Sequence, residues 1–180
     1  TPLDKGIEPL LSAHAGESGF RMVSDGVEAF ALRAFSARAA GRSLDVQTYI
    51  WHDDLTGKLL ASELLAAADR GVRVRLLLDD MDARANNFTM AALDAHENIE
   101  VRLFNPFASR RGILGQLAEF ATSFSRINHR MHNKAWIADN RIAIAGGRNI
   151  GNEYFSASEA MNFMDLDFAM LGPAVGSLSE

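Results

Sequence analysis

Short apolar runs alternate along this chain with longer Ala- and Leu-rich segments, and this alternation constrains the fold most. The runs Leu44 to Trp51, Val72 to Leu78 and Ile99 to Phe104 have the length and composition of buried strands. Between the first two, Lys58 to Arg70 is typical of a helix, and Gly71 follows it as a residue that tolerates a helix end. This order predicts an α/β fold, in which a mostly parallel or mixed sheet is sandwiched between helices.

Four further segments are predicted to be strands or helices. Gly19 to Val23 reads as a short strand, Asp25 can cap a helix that runs to about Arg42, Phe88 to His96 is helical, and Phe163 to Leu171 is the last strand. The sequence shows no internal repeat and no low-complexity linker. With 180 residues and 48% hydrophobic content, we expect residues 1–180 to form a single domain.

A β-hairpin is predicted from Ala135 to Ala145. Two apolar runs flank Asp139 and Asn140, a pair that tolerates the positive φ angles of a two-residue turn. Such a turn pairs Ala138 with Arg141. By extension, one face would carry the polar residues and the other the apolar ones. The predicted polar face holds His132, Lys134, Gly147 and Asn149, and the predicted core face holds Ala135, Ile137, Ile142 and Ile144.

The polar face of this hairpin suits chemistry on a phosphodiester. The imidazole of His132 can attack phosphorus when neutral or protonate a leaving oxygen when charged. Lys134 would neutralise the phosphate oxygens, and the amide of Asn149 would donate a directional hydrogen bond. Gly146 and Gly147 are small enough for their backbone N–H groups to approach the anion. This set requires no metal and no other cofactor.

These residues resemble the phospholipase D superfamily. His132, Lys134 and Asp139 match its H-x-K-x4-D motif, and Gly146 to Tyr154 is similar to the segment that follows the motif in bacterial cardiolipin synthases. The nearest subgroup is the cardiolipin synthase C type, through the string Ile127 to Lys134. The likeness covers most of the chain. It extends upstream through Ser43 to Trp51, Arg70 to Asp80 and Asn105-Pro106-Phe107.

The resemblance implies a phosphatidyl transfer to the hydroxyl of phosphatidylglycerol through a phosphohistidine. Family enzymes build one active site from two motifs, and this chain carries one. The resemblance therefore implies, as partner, either a carboxy-terminal half with the second motif or a second copy of the chain. We expect the first, with this chain as an excised amino-terminal half. Whether His132 is the nucleophile or the acid/base stays open.

The resemblance also assigns roles to nearby carboxylates. An acidic residue at the place of Asp165 accepts a proton from the catalytic histidine and fixes its tautomer, whereas Asp167 is assigned no partner in the site. Asp139, at the predicted turn, is expected to be structural. Many superfamily members carry Ser where this chain has Gly147, so a hydroxyl donor is missing.

Charge is distributed unevenly along the chain. The formal net charge is -5, yet from Arg102 to Arg148 eight Lys or Arg accompany only two Asp or Glu. A basic region in an acidic body favours an anionic phospholipid head group over nucleic acid, which usually meets a broad basic face. Gly112 to Ser125 is predicted to be an amphipathic helix, either packed on the core or acting as a lipid-facing lid. We therefore expect peripheral association with a bacterial cell membrane.

Two other functions stay open on the sequence. A single motif per chain is also typical of a homodimeric phosphodiesterase or nuclease, and a chain with half a site could be an inactive lipid-binding domain.

His129 and His132 have the spacing of metal ligands, but no third ligand has convincing spacing. Tyr49 and Trp51 could line a lipid pocket, although core packing is the preferred interpretation. We interpret the remaining histidines as surface or structural residues: His14, His52 and His96.

Overall fold

The computed structural model describes residues 1–79, 87–105 and 130–179 of the chain. The helix predicted over Gly112 to Ser125 and the residue His129 lie outside the described residues. The described elements follow in chain order. They are α1 (Pro2–Ala13), β1 (Gly19–Val23), α2 (Gly26–Ala39), β2 (Ser43–Thr48), α3 (Leu55–Asp69), β3 (Arg73–Asp79), α4 (Asn87–Asp94), β4 (Ile99–Phe104), β5 (Ala135–Ala138), β6 (Ile142–Gly146), a 3-10 turn (Asn152–Tyr154), β7 (Asp167–Leu171) and α5 (Pro173–Ser179).

The seven strands form one mixed sheet in the order β1-β7-β6-β5-β2-β3-β4. Parallel pairing is confined to β2, β3 and β4, which are joined by the α3 and α4 crossovers. The other four pairings are antiparallel, so the sheet is mixed rather than mostly parallel. The α/β class predicted from the sequence is confirmed.

Most of the predicted elements are present with shifted ends. The strands predicted at Gly19 and Ile99 have their predicted bounds, and the carboxylate of Asp25 caps α2 as expected by accepting the backbone N–H of Glu28. Gly71 adopts a positive φ of 86° directly after α3. The last strand begins at Asp167, four residues later than predicted, and α1 was not foreseen. Within residues 1–79, 87–105 and 130–179, no helix is both long and apolar enough to span a bilayer.

The main core lies between the sheet and helices α2 and α3. It is filled by inward side chains of the central strands together with small residues on the helices, which allow close approach. Trp136 is fully buried there and donates its indole N–H to the hydroxyl of Ser36 over 3.0 Å. A smaller cluster on the other face packs Ile137 and Ala143 against Val175 of α5. The central hairpin is thus buried on both faces.

The hairpin register differs from the prediction by one residue. Asp139 and Asn140 do adopt positive φ angles of 55°, but Ala138 pairs with Ile142 and Arg141 is an extra residue beside the turn. The guanidinium of Arg141 is held by carboxylates of α1, at Asp4 and Glu8. The shift separates the predicted core residues, because a strand alternates its side chains. Ile142 and Ile144 face the main core, and Ile137 faces the smaller cluster.

Candidate active site

One edge of the sheet collects the residues that the sequence singled out. Because β5 runs antiparallel to β2, the start of β5 lies beside the end of β2, where Gln47 pairs with Ala135. In the same way the end of β6 meets the start of β7, where Gly146 pairs with Asp167. The segments leading into β5 and β7 and those leaving β2 and β6 therefore meet at this edge, which we call the catalytic edge.

His132 and Lys134 stand at the catalytic edge beside the same aromatic ring, that of Tyr49. The ring of Tyr49 lies 5.1 Å from that of His132, at an interplanar angle of 53°. The ammonium nitrogen of Lys134 lies 5.6 Å from the centre of the same Tyr49 ring. His132 is exposed, whereas Lys134 is 7% exposed. Tyr49 therefore supports both motif residues through its ring.

The side chain of Lys134 is fixed by a hydrogen bond and by burial. Its ammonium donates to the backbone carbonyl of His132 over 2.8 Å, which ties the side chain to the residue whose chemistry it serves. Burial lowers the pKa of Lys134, and the nearby negative charge of Asp165 raises it. A partly desolvated cation is electrostatically stronger toward an incoming anion than one in bulk water. A phosphate at this edge would therefore meet a preformed positive charge.

Asp79 anchors the segment that leads to His132. Its side chain is 1% exposed at the end of β3. One carboxylate oxygen accepts the backbone N–H of Met131 at 3.1 Å, and the other accepts from the guanidinium of Arg130 at 3.2 Å. The residue directly before the histidine is thus fixed to the central sheet, so His132 starts from a defined backbone position.

Asn149 is turned into the protein. It is 4% exposed, its amide oxygen accepts the N–H of Ile50 at 3.1 Å, and its amide nitrogen donates to the hydroxyl of Tyr154 at 3.1 Å. An amide nitrogen carries two N–H donors, so one remains after the bond to Tyr154. Asn149 joins the segment after β2 to the segment after β6 and so orders the catalytic edge.

The two glycines play a different part from the one predicted. The N–H of Gly146 donates to the carbonyl of Lys134 and that of Gly147 to the carbonyl of Leu166, so both backbone donors already have protein partners. What the glycines supply is space. A Cβ on Gly147 would lie 2.3 Å from a carboxylate oxygen of Asp165, and one on Gly146 would lie 2.4 Å from a carboxylate oxygen of Asp167.

Asp165 lies at the catalytic edge without a hydrogen bond to the motif histidine. Its half-buried carboxylate occupies the space left by Gly147 and acts electrostatically on Lys134. Within the residues that the structure describes, no hydrogen bond joins Asp165 to His132. The predicted orienting contact therefore needs a movement of one side chain or the other.

Asp167 is paired with two buried arginines, Arg33 and Arg148, which are not among the predicted site residues. Its fully buried carboxylate accepts from the guanidinium of Arg33 at 3.0 Å, and a guanidinium nitrogen of Arg148 lies 3.5 Å away. Burial lowers the pKa of Arg33, and Asp167 opposes that shift. No pattern in the sequence predicts this buried group, because an arginine in an Ala-rich helix is typical of a surface position.

Asp139 closes the hairpin turn from the opposite edge of the sheet. Its carboxylate accepts the backbone N–H groups of Gly41, Arg42 and Ser43, at 2.7 to 3.1 Å. Burial alone would raise the pKa of Asp139, but these three donors lower it below its ordinary value. The third residue of the motif thus fastens the hairpin to the start of β2, far from the catalytic edge.

The mixed α/β sheet, with an exposed histidine beside a buried lysine at one edge, defines a phospholipase D-type domain. Residues 36–168 match the family described as "Cardiolipin synthase, PLD-like domain", and the chain belongs to that family. It is 48% identical to cardiolipin synthase C of Escherichia coli over 178 residues, which is 99% of this chain and 37% of that protein. The chain thus spans little more than a third of this relative.

Solved structures share the fold at low sequence identity. Nuc from Salmonella typhimurium, a phospholipase D family member, has a TM-score of 0.63 and 17% identity, covering 91% of this chain and 90% of its own. Phosphatidylserine synthase of Haemophilus influenzae has a TM-score of 0.67 and 14% identity, covering 89% of this chain and 35% of its own. The architecture therefore occurs both as nearly a whole chain and as part of a longer one.

Proposed function

We propose that this chain is one half of a phospholipase D-type phosphatidyltransferase that makes cardiolipin from phosphatidylglycerol and a second phospholipid. The observation that carries the proposal is the arrangement of His132 and Lys134 around Tyr49, in a chain of the cardiolipin synthase family. An exposed imidazole offers a nucleophile or a proton, and the buried ammonium stabilises charge on the phosphate oxygens.

The reaction divides into two displacements at phosphorus. In the first, an imidazole nitrogen forms a P–N bond, the P–O bond to the leaving alcohol breaks, and a second histidine gives that oxygen its proton. In the second, the now neutral second histidine takes the proton of the acceptor hydroxyl, whose oxygen forms a new P–O bond while the P–N bond breaks. His132 fills one of these two roles.

The second histidine must come from outside this chain's single motif. Since the chain spans 37% of its Escherichia coli relative, a carboxy-terminal half with its own motif is the proposed partner. A second copy of the chain is the alternative, because twofold association would also bring two motifs together. In either case the partner would dock at the catalytic edge, where His132 is exposed.

The proposed substrate is a phospholipid head group presented at a bacterial membrane, which the protein would meet peripherally. Phosphatidylglycerol is anionic, and the charge count between Arg102 and Arg148 favours an anionic ligand. Asp165 is proposed to orient the imidazole of His132 once substrate is bound, and Asn149 to hold the two segments of the edge in register.

The test compares this chain alone with a protein that joins it to a second motif-bearing half. Phosphatidyl transfer is measured on vesicles that contain phosphatidylglycerol, phosphodiester cleavage is measured on single-stranded DNA, and mass in solution is determined for each sample. We expect transfer only with both halves, and its abolition by His132→Ala without loss of fold. Transfer by a strictly monomeric sample of this chain would refute the half-site proposal.

The other outcomes identify the other functions. DNA cleavage by a dimer of this chain, without phosphatidyl transfer, would establish a homodimeric nuclease. Vesicle binding by the two-half protein with no turnover on either substrate would establish an inactive lipid-binding domain. Because His132→Ala is applied to the same protein in each assay, any measured activity is assigned to this site or excluded from it.

A further inference from the structure

A cluster of three potential metal ligands lies outside the site described above. The side chains of His52, Asp54 and Glu153 each bring one ligand atom within 4.8 Å of the others. They come from the segment after β2 and from the 3-10 turn after β6. We propose that these three residues form a binding site for a divalent transition-metal ion of the Zn²⁺ type.

The spacing of the donor atoms fits coordination of one ion. The Nδ1 atom of His52 lies 3.0 Å from a carboxylate oxygen of Glu153. Two neighbouring ligands at a tetrahedral zinc, each about 2.0–2.2 Å from the metal, are separated by roughly 3.3–3.6 Å, so this pair would open by a few tenths of an ångström to admit the ion. The side chain of His52 is 40% exposed and that of Glu153 is 19% exposed, so an ion can enter from solvent.

Asp54 is positioned by hydrogen bonds that leave it a free lone pair. One carboxylate oxygen caps α3 by accepting from the N–H of Gly57 at 3.0 Å and from the hydroxyl of Thr56 at 3.2 Å. Among residues 1–79, 87–105 and 130–179, the other oxygen accepts one hydrogen bond, from the N–H of Asn152 at 2.7 Å. Since a carboxylate oxygen carries two lone pairs, this second oxygen retains one for a metal.

The backbone around the cluster brings its two segments together in advance. The N–H of His52 donates to the carbonyl of Ile150 at 2.9 Å, and that of Ile150 donates to the carbonyl of Ile50 at 3.1 Å. Gly151 lies next to the proposed ligands, because a Cβ at this position would come within 2.9 Å of the His52 ring and 3.0 Å of the Glu153 carboxylate. The absence of a side chain at Gly151 thus keeps the donors close together.

The donor set selects the class of ion. One imidazole and two carboxylates suit Zn²⁺ and related borderline ions, whereas Mg²⁺ and Ca²⁺ prefer oxygen ligands alone. Three protein ligands leave a fourth position for water. The ion would fasten the segment that carries Tyr49 to the segment that carries Asn149, so its effect on the catalytic edge is one of support.

The experiment titrates the metal-free chain with ZnCl₂ by calorimetry and follows the melting temperature with and without added Zn²⁺. We expect one Zn²⁺ per chain and a Zn²⁺-dependent rise in melting temperature. His52→Gln and Glu153→Gln should each weaken binding by about 100-fold or more, with the fold retained by circular dichroism. X-ray absorption at the zinc edge should show nitrogen and oxygen ligands with one imidazole.

The matched control is His14→Gln. His14 forms a comparable pair with Glu17 at 3.2 Å, but both side chains are more than half exposed and neither belongs to the three-residue cluster. Zn²⁺ binding should be unchanged in this variant. The proposal is overturned if the wild-type chain binds no Zn²⁺, if binding survives both His52→Gln and Glu153→Gln, or if His132→Ala removes it instead.

Discussion

The substitution Asp167→Asn should destabilise the domain strongly, although nothing in the sequence distinguishes Asp167 from a surface carboxylate. Asp167 is 0% exposed, and its partner Arg33 is 3% exposed, so the pair has no access to water. Asparagine keeps one oxygen acceptor but removes the negative charge. The guanidinium groups of Arg33 and Arg148 would keep their bonds to backbone carbonyls but would be buried beside one another without a compensating negative charge.

The expected magnitude follows from burial. Removing one partner of a buried ion pair typically costs about 3–5 kcal/mol. For a domain of this size, 1 kcal/mol corresponds to roughly 2–4 °C in melting temperature. The melting temperature of Asp167→Asn should therefore fall by about 6–20 °C, and its urea midpoint should fall in parallel.

Two control variants isolate the cause. Asp69→Asn removes a carboxylate whose side chain is 66% exposed and which pairs with His96, so its effect should stay below about 1 kcal/mol. Asp165→Asn removes a half-buried carboxylate two residues away and should also melt near wild type. The comparison uses urea unfolding at pH 7 with matched buffers. An Asp167→Asn free energy of unfolding within 1 kcal/mol of these controls would refute the buried-pair argument.

Three further perturbations address the catalytic edge and the turn. Gly147→Ser places a Cβ 2.3 Å from the Asp165 carboxylate, so the transfer rate of the two-half protein should fall by about 10²-fold or more. Its melting temperature should stay above that of Asp167→Asn. Tyr49→Leu removes the ring beside His132 and should lower the transfer rate, whereas Tyr49→Phe keeps the ring and should stay within a few-fold of wild type. Asp139 has a lowered pKa when folded, so its carboxylate stabilises the domain above its unfolded pKa of about 3.9 and loses that effect as pH falls. Urea unfolding should therefore show a larger difference between Asp139→Asn and wild type at pH 7 than at a pH below about 3.9. A difference that does not shrink as the pH falls would contradict this.

The elements that the sequence predicted well are those set by local chemistry. The strand from Ile99 to Phe104 alternates apolar side chains with Glu100 and Arg102. The cap Asp25 precedes α2 and accepts a helix N–H, and Gly71 follows the end of α3 with a positive φ. Each of these depends on a few neighbouring residues. The class of the fold follows from their order, because α3 and α4 must cross over between parallel strands.

Tertiary contacts decided what the sequence could not. The hairpin turn has the predicted left-handed residues, but the contacts of Arg141 with α1 accompany an extra residue that shifts the register by one. Likewise, the sequence favours core packing for Tyr49, whereas in the structure the antiparallel pairing of β5 with β2 brings His132 beside its ring. A strand register and a contact between two rings involve residues far apart in sequence, and no local pattern predicts them.

The glycine pair at the end of β6 and the carboxylates around the start of β7 form one structural unit. Asp165 lies two residues before β7 begins at Asp167, and this step of about 6.6 Å along an extended backbone gives the two carboxylates different surroundings. Gly146 leaves space for the carboxylate of Asp167, which is committed to the buried arginines, and Gly147 leaves space for that of Asp165 at the catalytic edge. A serine at position 147 would occupy the space that Asp165 fills. Because position 147 is glycine and not serine, this chain can place a second charge, the carboxylate of Asp165, beside Lys134.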